Sequence, residues 1–429
     1  MELKYGLDER PPFIELLLFG LQWFAVTIPV IIIIGKIAAG LHTSSPEGEI
    51  LYIQKLCFVM AAALVFQVTL GHRLPLIIGP STVLLIGIIA SRGFGEQAIY
   101  SSILLGGVLL FIFSITGFFA YLKKFFTTRV VAVVMLLIAF TMAPTIMGLV
   151  TSPQTGSGPL GNLVFSFTLI AAMFSLYAVL KGIWKSTLVI WAMAAGSLIY
   201  YGLFPYSFTH EALQKSPAIG GFLSGFIFPP SWDAGVLISF LFCYLALAVN
   251  DLGSIQSLNE LLRPTDQQGR ITRGMLVTGL ANIASGILGV IGPVNFSLSP
   301  GVIASSRCGS RQALLPAAFL LAVLSISPAL LSLLGNVPSV VVGAVLVYIL
   351  CAQISSGIML LKEAPGGFDF ETGLLIGLAI LLGTIVAFLP AQVLETFPAM
   401  LRPVLGNGFV VGVLAALMME HLVFRKKGP

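Results

Sequence analysis

Long runs of apolar residues follow one another along nearly the whole of this 429-residue sequence. Most of them reach the roughly 17 to 25 residues that a helix needs to cross about 30 Å of hydrocarbon. Charged residues make up only 9% of the chain, against about 25% in soluble domains, whereas hydrophobic residues make up 57%. Water cannot solvate so much apolar surface and one compact core cannot hide it, which excludes a soluble globular protein. The sequence therefore predicts an all-α protein that crosses a lipid bilayer many times.

The apolar runs divide into fourteen candidate spans, seven on each side of a polar stretch at residues 204–233. The first seven cover about 13–39, 53–71, 75–91, 97–121, 128–150, 162–181 and 185–203. The second seven cover about 234–256, 271–291, 296–306, 312–335, 338–361, 371–389 and 403–424. An odd number of spans in each half gives the halves opposite orientations, which is typical of inverted-repeat transporters. We therefore predict a 7+7 inverted repeat, with the first repeat at 1–203, a connecting loop at 204–233 and the second repeat at 234–429.

The third and tenth spans are too short, and too rich in glycine and proline, to form unbroken helices. The interrupting residues are Pro75, Gly79, Pro80, Gly292, Pro293, Pro300 and Gly301. Unwound backbone is tolerated at membrane depth only where it lines a cavity, so each segment predicts a short extended strand and a half-helix beside a midplane binding site. Two facing helix N-termini would attract carbonyls, ring nitrogens or anions. The alternative is that glycine and proline are merely common in membrane helices.

The basic residues indicate how the spans are oriented, because cytoplasmic loops carry an excess of lysine and arginine. With fourteen spans and the N-terminus inside, only five of the 22 basic residues face outward, and these are Lys36, Lys55, Arg92, Lys215 and Arg402. The sequence therefore predicts a multi-pass protein of the cytoplasmic membrane with both termini in the cytoplasm.

Polar residues inside the spans are the candidates for a binding site. In the eighth span Asn250 and Ser254 share one helix face, and Asp251 is turned about 100° away. Only one of these faces can point at a central cavity, and we expect it to be the Asn250 face. An ionisable residue within a membrane is costly, which makes Asp251 the proton-coupling candidate, unless the span ends early and Asp251 caps a helix or meets water. Gln22 in the first span either reaches the same cavity or bonds between helices.

Motifs for catalysis, metal binding or nucleic-acid binding are missing from the sequence. It contains no G-x-S-x-G, H-E-x-x-H or G-x-x-x-x-G-K pattern, so we expect no enzyme activity. Cys57, Cys243, Cys308 and Cys351 lie far apart with no histidine at metal-ligand spacing, so we expect no metal and no cofactor. The net charge of +5 is not gathered on one soluble face, which argues against a nucleic-acid partner. The expected partners are the lipid bilayer and a small-molecule substrate.

Four groups of residues resemble the nucleobase-ascorbate transporters, also called nucleobase cation symporter type 2, a family that includes uracil, xanthine and urate permeases. They are residues 5–12 with 20–22, residues 74–81, residues 279–286 with 301 and 306–307, and residues 337–343. The resemblance covers nearly the whole chain. It implies a core domain of spans 1–4 and 8–11 that moves against a gate domain of spans 5–7 and 12–14. It also implies a homodimer, because family members are often dimers.

The resemblance further implies which residues bind the substrate, and this chain departs from the family pattern at several of them. The family's binding glutamate in the eighth span falls on Asn250, four residues before Ser254. Its Gln or Glu followed by Asn in the tenth segment falls on Leu298 and Ser299. The bulky aromatic residue expected in the third segment is Thr82. The differences therefore coincide with the implied site and leave the implied scaffold intact.

The altered site retains groups that suit a planar base. The amide of Asn250 both donates and accepts hydrogen bonds, and the backbone at Thr82, Phe296 and Ser297 would add further contacts. The ring of Phe296 would stack on a heterocycle.

These features lead to three hypotheses about function. The leading one is a secondary active transporter that carries nucleobases or related purines, such as uracil, xanthine or urate, by alternating access. Proton coupling would then depend on Asp251, the titratable group nearest to the site. The missing carboxylate at Asn250 favours a second hypothesis, a transporter of small organic or inorganic anions on the same fold. A third is a membrane receptor that binds a ligand without moving it.

Overall fold

The computed structural model describes residues 3–43, 45–117, 127–152, 158–204, 230–296, 299–362, 368–398 and 400–424, and most of them are helical. The helices of the first half are α1 (Phe13–Ala39), α2 (Pro46–Thr69), α3 (Thr82–Ala90), α4 (Glu96–Thr116), α5 (Thr128–Thr141), α6 (Ala143–Thr151), α7 (Pro159–Val179), α8 (Gly182–Ser186) and α9 (Leu188–Leu203). One short strand, β1 (Ile78–Pro80), lies between α2 and α3.

The second half consists of the same kinds of elements, helices with one short strand. Its helices are α10 (Ala234–Leu262), α11 (Gln267–Leu288), α12 (Ser299–Ser306), α13 (Leu315–Ile326), α14 (Pro328–Gly335), α15 (Ser339–Lys362), α16 (Phe370–Ala387), α17 (Ala391–Glu395), α18 (Arg402–Leu405) and α19 (Gly408–Met418). A 3-10 turn (Arg311–Leu314) precedes α13, and a π-helix (Met419–Val423) follows α19. The strand of this half, β2 (Pro293–Asn295), lies between α11 and α12.

The length and hydropathy of the helices make the chain a multi-pass membrane protein. Among the described residues, nine helices are long and apolar enough to cross a membrane, or ten if one bent pair counts as a single span. The fourteen-segment repeat stays a prediction, and most of its connecting loop, residues 205–229, lies outside the described part of the chain.

The bent pair differs from the continuous eleventh span that the sequence predicts at 312–335. Residues Arg311–Ile326 and Pro328–Gly335 form two helices that meet at 101°. Pro328 has no N–H to donate to the preceding turn, and its ring clashes with the carbonyl four residues earlier. The proline therefore ends α13 and begins α14 in a new direction.

Short polar residues fix where several helices begin. The side chain of Asp233 accepts a hydrogen bond from the N–H of Val236 at 2.9 Å, and Asp369 does the same for Thr372 at 2.8 Å. Ser45 caps α2 and is followed by Pro46 at the first helical position. Caps of this kind contribute roughly 1 kcal/mol each by pairing N–H groups that the helix itself leaves free.

The two strands pair with each other in an antiparallel ladder. They are distant in sequence, because Pro293 in β2 lies 213 residues after its partner Pro80 in β1. The residue before each proline is a glycine, and the proline ring pushes that residue into extended conformation. The register sets Pro80 opposite Pro293, where neither residue needs to donate a hydrogen bond. The N–H of Ser81 instead bonds to the carbonyl of Gly292 at 2.9 Å. The ladder thus joins the two halves of the chain.

The helices pack mostly in two sets around this ladder. In the first set α4 packs along α11, α2 packs along α13, and α1 and α10 contact the strands. In the second set α15 packs against α5, α6 and α7, and α16 packs against α19. A Cβ atom at Gly286 would lie 2.5 Å from the backbone nitrogen of Leu104, so α4 and α11 approach as closely as only a small residue allows.

Candidate functional site

A cavity opens where the two strands turn into the half-helices α3 and α12. Ser81 caps α3, and Thr82 is the first residue of that helix. At the other strand, the N–H of Phe296 bonds to the carbonyl of Ile77 at 2.9 Å and so extends the ladder by one step. The ladder therefore fixes the backbone of both broken segments at the cavity.

The cavity lies between the two sets of helices. Its volume is about 80 Å³, several times the roughly 10–15 Å³ that one water molecule needs. The lining residues are Val30, Ile33, Ile34, Ser81, Thr82, Val83, Met135, Ile138, Asn250, Val294, Phe296, Leu346, Ile349, Leu350, Gln353 and Ser356. None of these described lining residues carries a charged side chain. The cavity is thus an apolar pocket with a few neutral polar groups, as small-molecule sites usually are.

Two amide side chains line the cavity from different helix sets. Asn250 belongs to α10, and Gln353 belongs to α15, where Ser356 lies one turn further along. Each amide presents one carbonyl acceptor and two N–H donors. Together they can bind a ligand that offers donors and acceptors on more than one edge.

An aromatic ring forms another part of the wall. A Cβ atom at Gly79 would lie only 2.4 Å from Cε2 of Phe296, so the ring of Phe296 lies directly against the backbone of β1. Glycine at this position therefore gives the ring its place beside the cavity. Such a ring provides a flat apolar face for a planar ligand.

Asp251 follows Asn250 in α10, but its side chain points away from the cavity and is fully buried. Its Oδ1 accepts hydrogen bonds from the backbone N–H of Asn295 at 2.9 Å and from Nδ2 of Asn295 at 2.7 Å. Its Oδ2 accepts a hydrogen bond from the hydroxyl of Thr278 in α11 at 2.8 Å. The carboxylate therefore ties β2 to α10 and α11, and Asn295 lies between two residues that line the cavity.

The hydrogen-bond network continues on the far side of Asn295. Nδ1 of His72 accepts the N–H of Leu74 at 3.0 Å, so this nitrogen carries no proton and the ring is neutral. Nε2 of His72, 3.2 Å from Oδ1 of Asn295, is then the donor in that bond. Burial also lowers the pKa of His72, in agreement with a neutral ring. Arg270 holds the same turn by donating to the carbonyls of His72 at 3.0 Å and Arg73 at 2.9 Å.

Three of the residues expected from the sequence lie on the cavity wall, namely Asn250, Thr82 and Phe296. Ser254 is buried beneath them. Its hydroxyl lies 2.9 Å from the carbonyl of Asn250 and 3.0 Å from the carbonyl of Asn295. It thus connects α10 to β2 and lies behind the cavity lining.

The other expected residues lie elsewhere. Ser299 accepts the N–H of Ile77 at 2.9 Å and supports the start of α12. Gln22 is buried in α1, at 5% exposure, and is not part of the lining. Ser297 and Leu298 lie outside the described residues.

Sequence reasoning missed the polar groups contributed by α15. Gln353 is an amide within a largely apolar span, and the rule that selected Gln22 would have found it as well. Asn295 and Thr278 gave no comparable signal, because their importance depends on contacts with Asp251 across distant parts of the chain. Across the described chain, no group of three or more His, Cys, Asp or Glu side chains is placed to hold a metal ion.

Comparison with known sequences identifies relatives along nearly the entire chain. A family model described as the Permease family matches residues 14–392. The uric acid permease PucK of Bacillus subtilis is 25% identical, and the match covers 99% of this chain and 98% of that protein. The xanthine permease of the same organism is also 25% identical, with coverage of 95% and 92%.

A solved structure shares the fold at low sequence identity. The transmembrane domain of the cyanobacterial bicarbonate transporter BicA superposes with a TM-score of 0.64 at 15% identity, covering 90% of this chain and 98% of that domain. Identity at this level shows the fold alone. The family model, in contrast, covers most of the chain and describes transporters, not enzymes. The chain therefore belongs to this permease family, the nucleobase-ascorbate transporters that its sequence resembles.

Proposed function

We propose that this protein is a secondary active transporter of nucleobases or related purines, such as uracil, xanthine or urate, in the cytoplasmic membrane. The observation that carries the proposal is the cavity wall, which combines the amides of Asn250 and Gln353 with the ring of Phe296. A nucleobase is a flat ring with hydrogen-bond donors and acceptors along its edges, so these groups complement it. The names of the uric acid and xanthine permeases among its relatives support the same substrate class.

Transport would follow from relative movement of the two helix sets. We infer fourteen segments in a 7+7 inverted repeat, with spans 1–4 and 8–11 as the core domain and spans 5–7 and 12–14 as the gate domain. Asn250, Thr82 and Phe296 would belong to the core, whereas Gln353 and Ser356 would belong to the gate. Sliding one domain along the other would then expose the substrate first to one side of the membrane and then to the other. The basic residues support cytoplasmic termini, and we propose a homodimer as the assembly.

Replacement of Gln353 by alanine tests the gate side of the cavity. We expect Gln353→Ala to weaken nucleobase binding about tenfold, because one or two hydrogen bonds are worth about 1–2 kcal/mol. Isothermal titration of the purified protein measures this affinity directly. Ser355→Ala is the matched control, since Ser355 lies on the same helix but is exposed and does not line the cavity. Equal affinity in Gln353→Ala and the control would remove Gln353 from the site.

Transport of a small anion is the second candidate function. It is favoured by the N-terminus of α3, which meets the cavity at Ser81 and Thr82, and by the lack of acidic residues among the described lining. Free N–H groups at a helix N-terminus bind anions. The anion hypothesis predicts that inorganic anions such as bicarbonate or sulfate bind more tightly than neutral uracil.

A ligand screen by thermal shift distinguishes the two candidates, because a ligand that binds the native state raises the apparent stability. The panel is uracil, xanthine, urate, adenine, ascorbate, bicarbonate, sulfate and a dicarboxylate. A shift with neutral bases is the expected result. A shift with inorganic anions alone would replace the nucleobase proposal by the anion proposal.

A further inference from the structure

A second cavity lies between α2 and α11, on the face of these helices that is turned away from the two strands. The cavity beside the strands is called the central cavity below. The second cavity is larger than the central cavity, at about 380 Å³, and is lined almost wholly by apolar side chains. Phe58, Phe66, Leu280 and the small residue Ala284 are exposed within it. In a membrane protein such a surface groove faces lipid tails. We call it the α2–α11 groove.

The length of the groove corresponds to one leaflet of a bilayer. The lining residues of α11 run from 273 to 284, and eleven steps at about 1.5 Å per residue give a length of roughly 16 Å. Half of the hydrocarbon thickness of a typical membrane is about 15 Å. Leu70, at the end of α2, lies at the same end of the groove as the start of α11, because Gln67 bonds to the carbonyl of Gly274 at 2.7 Å.

Among the described residues that line the groove, one carries a charged side chain, Arg273, and it lies at that end. Nη2 of Arg273 is 3.0 Å from Oδ2 of Asp266, whereas its Nε is buried and has no hydrogen-bond partner within the described residues. The Arg273 side chain is 41% exposed, so part of it is accessible from outside. Arg73, Arg270 and Arg311 lie near this end as well, together with Asp8, which pairs with Arg311 at 2.7 Å, so the four arginines here outnumber the two aspartates. This end of the groove is therefore basic.

We propose that the α2–α11 groove binds one glycerophospholipid with an anionic headgroup. An acyl chain would occupy the apolar length of the groove, and the phosphate would lie at the guanidinium of Arg273. Arginine binds phosphate oxygens through paired N–H groups, and basic pockets beside membrane helices attract anionic headgroups. The proposal goes beyond the proposed function and does not depend on the transported substrate.

Native mass spectrometry of the delipidated protein in detergent tests the proposal, after addition of phosphatidylglycerol or phosphatidylcholine. We expect about tenfold tighter retention of phosphatidylglycerol, since its headgroup has a net negative charge. Arg273→Gln should abolish this preference. Arg92→Gln, which removes an exposed arginine far from the groove, should leave it unchanged. Equal retention of the two lipids by the wild-type protein would overturn the proposal.

Two further variants separate lipid binding from a structural role of the Arg273–Asp266 pair. Asp266→Asn frees the guanidinium while Asn can still cap α11, so we expect tighter retention of phosphatidylglycerol, opposite to Arg273→Gln. If both variants reduced retention equally, the pair would be merely structural and the proposal would fail. Ala284→Phe fills the groove and should reduce retention of both lipids several-fold. Unchanged retention in Ala284→Phe would place the lipid elsewhere and also contradict the proposal.

Discussion

Asp251→Ala is expected to destabilise the protein strongly and to abolish substrate binding. The substitution removes the acceptor of three hydrogen bonds, two from Asn295 and one from Thr278, all of them in a buried region. The Thr278 hydroxyl can turn to the carbonyl of Gly274, but the two Asn295 donors are left without a partner at about 1–3 kcal/mol each, so the total loss should be about 2–6 kcal/mol. Because Asn295 lies between Val294 and Phe296, the released strand would also lose its place in the cavity wall. Thermal unfolding in detergent measures the first effect and ligand titration the second.

Asp251→Asn is the control that separates positioning from proton coupling. Its Oδ1 can still accept both bonds from Asn295, and its new N–H group can donate to the hydroxyl of Thr278, whose own proton can turn to the carbonyl of Gly274 at 3.2 Å. We therefore expect near-normal stability and affinity. If Asp251 is a positioning residue, the pH profile of uptake in liposomes stays as in the wild type. A flattened pH profile with intact binding would instead assign proton coupling to Asp251.

Gly79→Ala is expected to weaken substrate binding by about 10- to 100-fold. The new Cβ would lie 2.4 Å from the ring of Phe296, and that ring must move because the backbone of β1 is held in the ladder. Overpacking of this kind costs roughly 1–3 kcal/mol, and here the displaced ring is also part of the binding surface. Titration with the nucleobase found in the thermal-shift screen measures the loss.

A second substitution at Phe296 shows whether the ring is responsible. In the double variant Gly79→Ala with Phe296→Leu, the smaller side chain makes room for the new methyl group, so stability should recover. Affinity should not recover, because leucine provides no aromatic face. Recovery of affinity together with stability would show that the ring of Phe296 does not contact the substrate.

The bounds of a spanning helix can be predicted from the run of apolar residues that forms it, whereas the points at which a span breaks are harder to predict. The first span, expected at 13–39, is the helix Phe13–Ala39, because a long apolar run in lipid has no other way to pair its backbone. Pro29 lies inside this helix without ending it, whereas Pro328 divides the predicted eleventh span at 101°. A proline thus has different effects at two positions, so the presence of a proline does not by itself predict where a span breaks.

The residues of the candidate site also differ in how readily the sequence predicts them. Asn250 could be found from the sequence because an amide inside an apolar helix needs a polar environment. The direction of Asp251 could not be found, since it depends on Asn295 and Thr278, which lie 44 and 27 residues further along the chain. A single sequence gives no measure of such distant pairs. The sequence therefore predicts which span contributes to the site more readily than it predicts which neighbouring side chain faces the cavity.

Equilibrium binding to the wild-type protein and to Asn250→Ala tests the central claim most directly. Radiolabelled xanthine, uracil and urate are each titrated into purified protein, with the unlabelled bases, bicarbonate and sulfate as competitors. We predict saturable binding of a nucleobase that other bases displace and inorganic anions do not. In Asn250→Ala the affinity should fall about 100-fold, as expected for the loss of two hydrogen bonds to a buried ligand. Displacement by inorganic anions alone, or unchanged affinity in Asn250→Ala, would contradict the account.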